Sequence, residues 1–306
     1  MRTSDPLVDP PVYPEISALR GLALIGVTVT GFVVFVATLV TASTFGALPN
    51  DWIALVRSAP LRVGGAETPD ALRQSAHQLI LLMLLSGPVL WLLFLAAHRV
   101  VLGFSALRWL GEGRAFRRDL LTALAIVAPP FAGVAVWQIT SGAVDPLAGF
   151  AAAPFAALAI FLLLPAQTLI EEIVFRGFLQ RWLAGITPTT FLVATLIQSS
   201  LFGLLHEHWS YAFAVGVITT MLTYRTGNLA AAWAFHLTNN FYVTLVGFGT
   251  GAPARIIPEP FDFPIGQAIG LWMIVAVGVV VRLRVGAEAA ACLPVGSRRR
   301  RASLPG

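Results

Sequence analysis

Residues 169–183 read LIEEIVFRGFLQRWL. They close an apolar run at about Ala148–Ile170, and the apolar pattern continues past two adjacent glutamates through Ile173, Val174, Phe175, Phe178 and Leu179. A bilayer crossing takes roughly 20 apolar residues, so a run of this length suits one. Hydrocarbon offers no partner to a backbone amide, so such a run folds as a helix. Ionisable side chains are expensive there, which makes Glu171 and Glu172 candidates for function.

Working outward, the chain offers eight such runs: about Leu22–Val40, Leu79–Val101, Leu120–Ile139, Ala148–Ile170, Phe191–Leu205, Tyr211–Tyr224, Leu229–Val246 and Ile265–Val281. They are apolar on all faces and lack the alternation of barrel strands. The composition agrees. Of 306 residues, 57% are hydrophobic and only 11% charged, against about a quarter in a soluble domain. That excludes a disordered chain, a coiled coil and a disulfide scaffold. The fold class predicted is all-α, a polytopic transmembrane helical bundle of about eight helices. Its partner is the lipid bilayer.

The net charge of +5 comes entirely from arginine, since the chain has no lysine. The arginines sit between the apolar runs, as topology signals do, and no nucleic-acid partner is expected. With the N-terminus inside, 16 of the 20 arginines fall on inner segments; Arg57, Arg62, Arg73 and Arg255 fall outside. Both termini are therefore expected in the cytoplasm, with an even number of spans. Asp5, Asp9, Glu15 and four prolines argue against a cleavable signal at residues 1–15. The expected organisation is a cytoplasmic segment at 1–21, a membrane domain at 22–285 with a motif core at 165–246, and a basic cytoplasmic tail at 286–306. The outer loop 41–78, rich in proline and glycine, reads as irregular or partly helical. Cys292 is the only cysteine, so neither a disulfide nor a cysteine-rich metal site is expected.

Helix geometry sorts the polar residues. Arg176 lies four residues after Glu172, the favourable order for an ion pair, whereas Glu171 points about 100° away. Glu172 and Arg176 then form a clamp, and Glu171 is left free for general acid–base work. Phe202 and His206 share one face in SLFGLLHEHW, so the ring can wall the imidazole. His236 and Asn240 share one face in AWAFHLTNNFYV, with Asn239 beside them. An imidazole and a carboxamide aimed at one point can donate to an oxyanion or ligate a metal. His77 and His98 fall at run ends and read as interfacial. Ser199 and Ser200 near His206 offer a weak serine–histidine pairing, because serine commonly bonds its own helix backbone. The sequence has neither the HExxH spacing of zinc-protease helices nor a GxSxG elbow.

Simple counting puts Glu171 near the inner face and His206 further out. One site needs both at one depth. The fifth and sixth runs are short, about 15 residues each, against the roughly 20 of a full crossing. They are expected either to be tilted or to form a hairpin packed inside the bundle; as a buried hairpin they put His206 at its tip in mid-membrane. Two other functions fit intramembrane Glu and His: a proton-coupled transporter, which repeat symmetry would favour although none is found, and a non-catalytic immunity or scaffold protein.

Taken together, Glu171-Glu172-x-x-x-Arg176, Phe202-x-x-x-His206 and His236-x-x-x-Asn240 resemble, in order, the three motifs of the CPBP family of intramembrane proteases. That family holds the type II CAAX prenyl endopeptidases and the bacterial Abi-type proteins. The resemblance covers about Ile170–Phe241 and implies an endopeptidase acting on a membrane-associated peptide or protein. It implies that Glu171 and His206 activate water, that His236 and Asn240 hold the oxyanion, and that Glu172, Arg176 and Phe202 support them. It leaves two alternatives for the cofactor: a zinc ion held by Glu171, His206 and His236, or a metal-free glutamate site. The arginine-only, alanine-rich composition suggests a bacterial inner membrane, where prenylated CAAX substrates are not expected.

Overall fold

The structure is a computed structural model. It describes residues 16–44, 80, 83–110, 113–145, 147, 151, 154–186, 191–206, 209–249, 269–270, 272–273 and 276–278. His77, most of the eighth apolar run, residues 45–78 and both chain ends fall outside these.

Eight α-helices are found among the described residues, and no strand: α1 Ala18–Thr44, α2 Leu90–Leu102, α3 Gly113–Thr140, α4 Pro154–Glu172, α5 Gln180–Ile186, α6 Phe191–Leu204, α7 Trp209–Thr226 and α8 Ala230–Gly249. Helix α1 runs four residues into the stretch expected to be a loop. Three stretches are long and apolar enough to cross a membrane, Ala18–Thr38, Ala115–Thr140 and Leu158–Ile186, while Gly87–Leu102 and Phe191–Leu204 are shorter apolar helices. The outer faces carry exposed Leu22, Val29 and Val33 on α1, Leu121, Val136 and Trp137 on α3, and Leu158 and Leu162 on α4. The interior holds Thr168, Glu172, Arg176, Gln180, Gln198 and His236. Apolar outside and polar inside is the distribution of a bundle solvated by lipid. The chain is an integral membrane protein of all-α class.

Two wide turns interrupt the helices. Leu85–Val89 is a π-helical turn containing Pro88, whose ring removes a donor and crowds the preceding turn. Ile173–Leu179 is a second one, directly after Glu172. Here the cause is tertiary. A 3-10 helix, Ala106–Leu110, packs on this turn, and a Cβ on Gly177 would lie 2.8 Å from the Cβ of Trp109. Only glycine allows that approach. Chain reversal into the 3-10 segment begins at Gly103, whose φ of 79° is left-handed and whose amide bonds the Arg99 carbonyl.

Helix α4, the wide turn and α5 form one continuous apolar stretch, Leu158–Ile186. Glu171 and Glu172 therefore lie in its middle, not near its inner end as run length suggested. Helix α6 has 14 residues and spans about 21 Å at 1.5 Å per residue, short of a roughly 30 Å hydrocarbon core. It packs mainly on α7. Gln198 donates to Thr220 Oγ1 (2.6 Å) and Ser199 Oγ (2.7 Å) between them. The pairing matches the expected hairpin, but α6 is not enclosed: Leu192, Leu196, Leu201 and Leu204 are exposed on its outer face. Helix α8 packs on α3, α7 and α4 and sits at the centre.

Candidate active site

The site is built from the end of α4, the C-terminal part of α6 and the middle of α8. Trp233 fixes α8 against α4 by donating from its indole to Thr168 Oγ1 at 3.1 Å. One turn further along each helix, His236 meets the glutamates. Its Nδ1 donates to Glu172 Oε1 at 2.7 Å, and its Nε2 lies 3.4 Å from Glu171 Oε2.

Glu172 and Arg176 form the expected clamp, with Nη1 3.3 Å from Oε1 and both side chains fully buried. The pairing is more than a two-residue affair, because the same carboxylate oxygen also receives His236. The guanidinium in turn lies 4.3 Å from the centroid of the Phe202 ring and 5.8 Å from that of Phe175. Aromatic faces and the carboxylate offset part of the hydration this buried cation loses.

Glu171 differs. Its side chain keeps 14% of its surface exposed. Gln167, one turn earlier, donates from Nε2 to Oε1. Oε2 is buried and makes no hydrogen bond. A buried acceptor of that kind calls for a donor.

His206 lies just past α6. Its ring lies tilted against Phe202, with centroids 4.4 Å apart, and its Nδ1 is 2.6 Å from the Phe202 carbonyl. A carbonyl only accepts, so Nδ1 carries the proton and Nε2 of the neutral ring presents a lone pair. Phe202 also meets His236 edge-on at 5.7 Å, so one buried ring touches both histidines and Arg176. Asn240 is half-buried and accepts from Asn239 Nδ2 at 3.2 Å.

The structure thus brings Glu171, Glu172, Arg176, Phe202, His206 and His236 into one connected group, with Asn240 one helical turn beyond His236. The zinc alternative fares differently. Among the described residues no three His, Cys, Asp or Glu side chains gather as a metal cage. His236 faces a carboxylate with each ring nitrogen, whereas His206, with Nδ1 on a carbonyl, keeps Nε2 for another partner. As arranged among the described residues, Glu171, His206 and His236 are not gathered as a three-donor shell.

His98, read from its place at a run end as interfacial, is fully buried within the protein: Nδ1 donates to the Phe104 carbonyl at 2.8 Å, and Nε2 accepts from Trp109 at 2.9 Å. It locks the 3-10 segment that braces the wide turn. Ser199 is taken up by Gln198 at 2.7 Å, in the seam toward α7. Gln167 is a contributor that motif spacing overlooks. For Gln167 the signal was available, a polar residue four before Glu171 inside an apolar run.

Comparison with known proteins agrees with this geometry. Residues 153–242 match the family described as Type II CAAX prenyl endopeptidase Rce1-like, a stretch that includes every residue of the group above. An uncharacterized protein of Bacillus subtilis (strain 168), YyaK, is 32% identical over 98 residues. That alignment covers 28% of this chain and 32% of YyaK, so it spans about a third of the relative's length. No solved structure matches the chain.

Proposed function

We propose that the chain is an intramembrane endopeptidase that cleaves a membrane-associated peptide with a water activated by Glu171 and His206. The observation that carries this reading is the placement of His236 against both glutamates while Phe202 joins His236 to His206. The family match over residues 153–242 supports the same chemistry.

In the proposed reaction, water sits between Glu171 Oε2 and His206 Nε2, the two open acceptors. Glu171 takes one proton as the water oxygen adds to the peptide carbonyl carbon. Positioned proton abstraction of this kind contributes roughly 10²–10⁴-fold. The carbonyl oxygen, now an oxyanion, accepts from the Asn240 carboxamide and, when both ring nitrogens of His236 carry protons, from its Nε2–H, each such donor being worth about 10²–10³-fold. Collapse breaks the C–N bond, and Glu171 returns its proton to the departing amine. Glu172 and Arg176 hold the His236 ring in place. The apolar walls keep bulk water out, which strengthens every dipole in the site.

The bias of arginine toward one set of loops supports a reading with both termini cytoplasmic, and we propose a bacterial inner membrane as the setting. The substrate is a peptide or protein segment reaching the site from the bilayer or from that side.

The test compares peptide termini in membrane fractions from cells carrying the wild-type protein with those carrying Glu171→Ala. A set of termini present with the first and absent with the second, at equal protein abundance, supports the reading. Identical termini in both would point instead to a scaffold that keeps the fold and not the reaction.

A further inference from the structure

Beside the site, a run of hydrogen bonds crosses from α7 to α8. Tyr211, almost fully buried near the start of α7, donates from its hydroxyl to Asn239 Oδ1. Asn239, buried on α8, donates from Nδ2 to Asn240 Oδ1 at 3.2 Å. Neither Tyr211 nor Asn239 belongs to the three motifs.

The direction of these bonds has a consequence. A carboxamide has one accepting end and one donating end, and free in a pocket it can present either. An oxyanion needs the donating end. When Asn239 occupies Asn240 Oδ1, the group that Asn240 has left to offer is its NH₂. The phenol hydroxyl fixes Asn239 in the same way, since its donation requires Oδ1 on that side. Each link thus sets the orientation of the next, from a helix outside the Glu–His cluster.

We propose that Tyr211 and Asn239 are positioning residues for the peptidase site: the relay Tyr211 to Asn239 to Asn240 holds the Asn240 amide with its NH₂ as the available donor. This rests on the peptidase reading for its catalytic meaning, while the relay itself is a property of the fold. Orienting groups one bond away from a functional side chain are typically worth about 10- to 100-fold in activity.

The experiment uses the full chain in detergent micelles or liposomes, with two readouts. The chain has four asparagines, Asn50, Asn228, Asn239 and Asn240, so asparagine-selective ¹⁵N labelling yields four side-chain amide pairs. Tyr211→Phe, which removes one oxygen and little volume, is expected to move the Asn239 and Asn240 pairs together. If Asn240 stays in place while Asn239 moves, or neither moves, the relay is overturned.

The second readout is cleavage of a fluorogenic peptide spanning a terminus that Glu171→Ala abolishes. Tyr211→Phe and Asn239→Ala are each expected to lower kcat about tenfold with KM within about twofold, the pattern of an interaction made only in the transition state. In an Asn240→Ala background, Tyr211→Phe is expected to have no further effect, because residues acting through one group do not add. Full activity in Tyr211→Phe, or the same loss in both backgrounds, overturns the proposal. Should the wild-type protein cleave nothing that Glu171→Ala spares, the peptidase reading falls, and the amide spectra still decide the relay.

Discussion

The imidazole Nδ1 of His236 donates to Glu172 Oε1 across 2.7 Å, joining residues 64 positions apart in the chain. The same oxygen faces Arg176, so Glu172 is where α4, the wide turn and α8 are tied together. Glu171, its neighbour in sequence, is hydrogen-bonded only by Gln167 one turn earlier, while its other oxygen faces His236 Nε2 at 3.4 Å without a hydrogen bond. Adjacent glutamates have thus been given different duties.

The two should part company on mutation. Glu172→Ala strands a buried guanidinium and an imidazole, and loss of one partner of a buried pair costs about 3–5 kcal/mol. A large drop in thermal stability and in folded yield is expected. Glu171→Gln keeps the Gln167 contact in kind and should unfold within a degree or two of wild type while losing activity. Thermal unfolding of both variants in detergent checks this; equal destabilisation would show that the glutamates share one structural role.

Gln167 holds Glu171 by a side-chain bond from one turn before. Gln167→Leu keeps the volume and the helix but frees that carboxylate. Cleavage should fall about 10- to 100-fold, the usual cost of losing an orienting partner, with unfolding unchanged. Wild-type turnover in Gln167→Leu would show that Glu171 is placed by its backbone alone.

The close approach of Trp109 to Gly177 makes a separate prediction. Gly177→Ala puts a methyl 2.8 Å from the Trp109 Cβ, and overpacking of this kind costs about 1–3 kcal/mol. Trp109→Phe should destabilise by a similar route, leaving His98 Nε2 buried without its donor at a cost of about 1–3 kcal/mol. Thermal unfolding measures both. A neutral Gly177→Ala would mean the 3-10 segment does not brace the wide turn.

The seam between α6 and α7 is the last structural test. Gln198→Ala removes the donor shared by Thr220 and Ser199. Gly216→Leu forces a side chain into Ser199, whose Cβ already lies 2.9 Å from where a Cβ on Gly216 would be. Both should loosen the hairpin that carries His206, lowering stability by about 1–3 kcal/mol. Cysteine crosslinking between α6 and α7, efficient in wild type, should fall in the same order as stability.

How much of this can be read from sequence depends on the distance a contact spans. Glu172 with Arg176 and Phe202 with His206 are contacts the helix repeat imposes, so spacing alone identifies them. The helical class and lipid-facing exterior follow from apolar runs that need internal hydrogen bonds. The link from Glu172 to His236, the burial of His98 and the relay through Tyr211 each join distant segments, and no local spacing encodes them. Counting along the runs puts Glu171 near the inner face, whereas it lies midway along an apolar helical stretch that continues through the wide turn to Ile186. Enclosure of α6 was expected from its length, yet its leucines face outward, because a short helix can lie at the periphery as well as inside.

The central claim is that Glu171 and His206 activate water for peptide cleavage. Its most direct test measures hydrolysis by the purified wild-type chain, Glu171→Gln and His206→Gln, reconstituted in liposomes with a peptide spanning a terminus found in wild-type membranes. The account predicts that both variants remain folded and that each loses roughly 10²-fold or more in kcat, the contribution of a positioned acid–base group. Folded Glu171→Gln protein cleaving at the wild-type rate would contradict it.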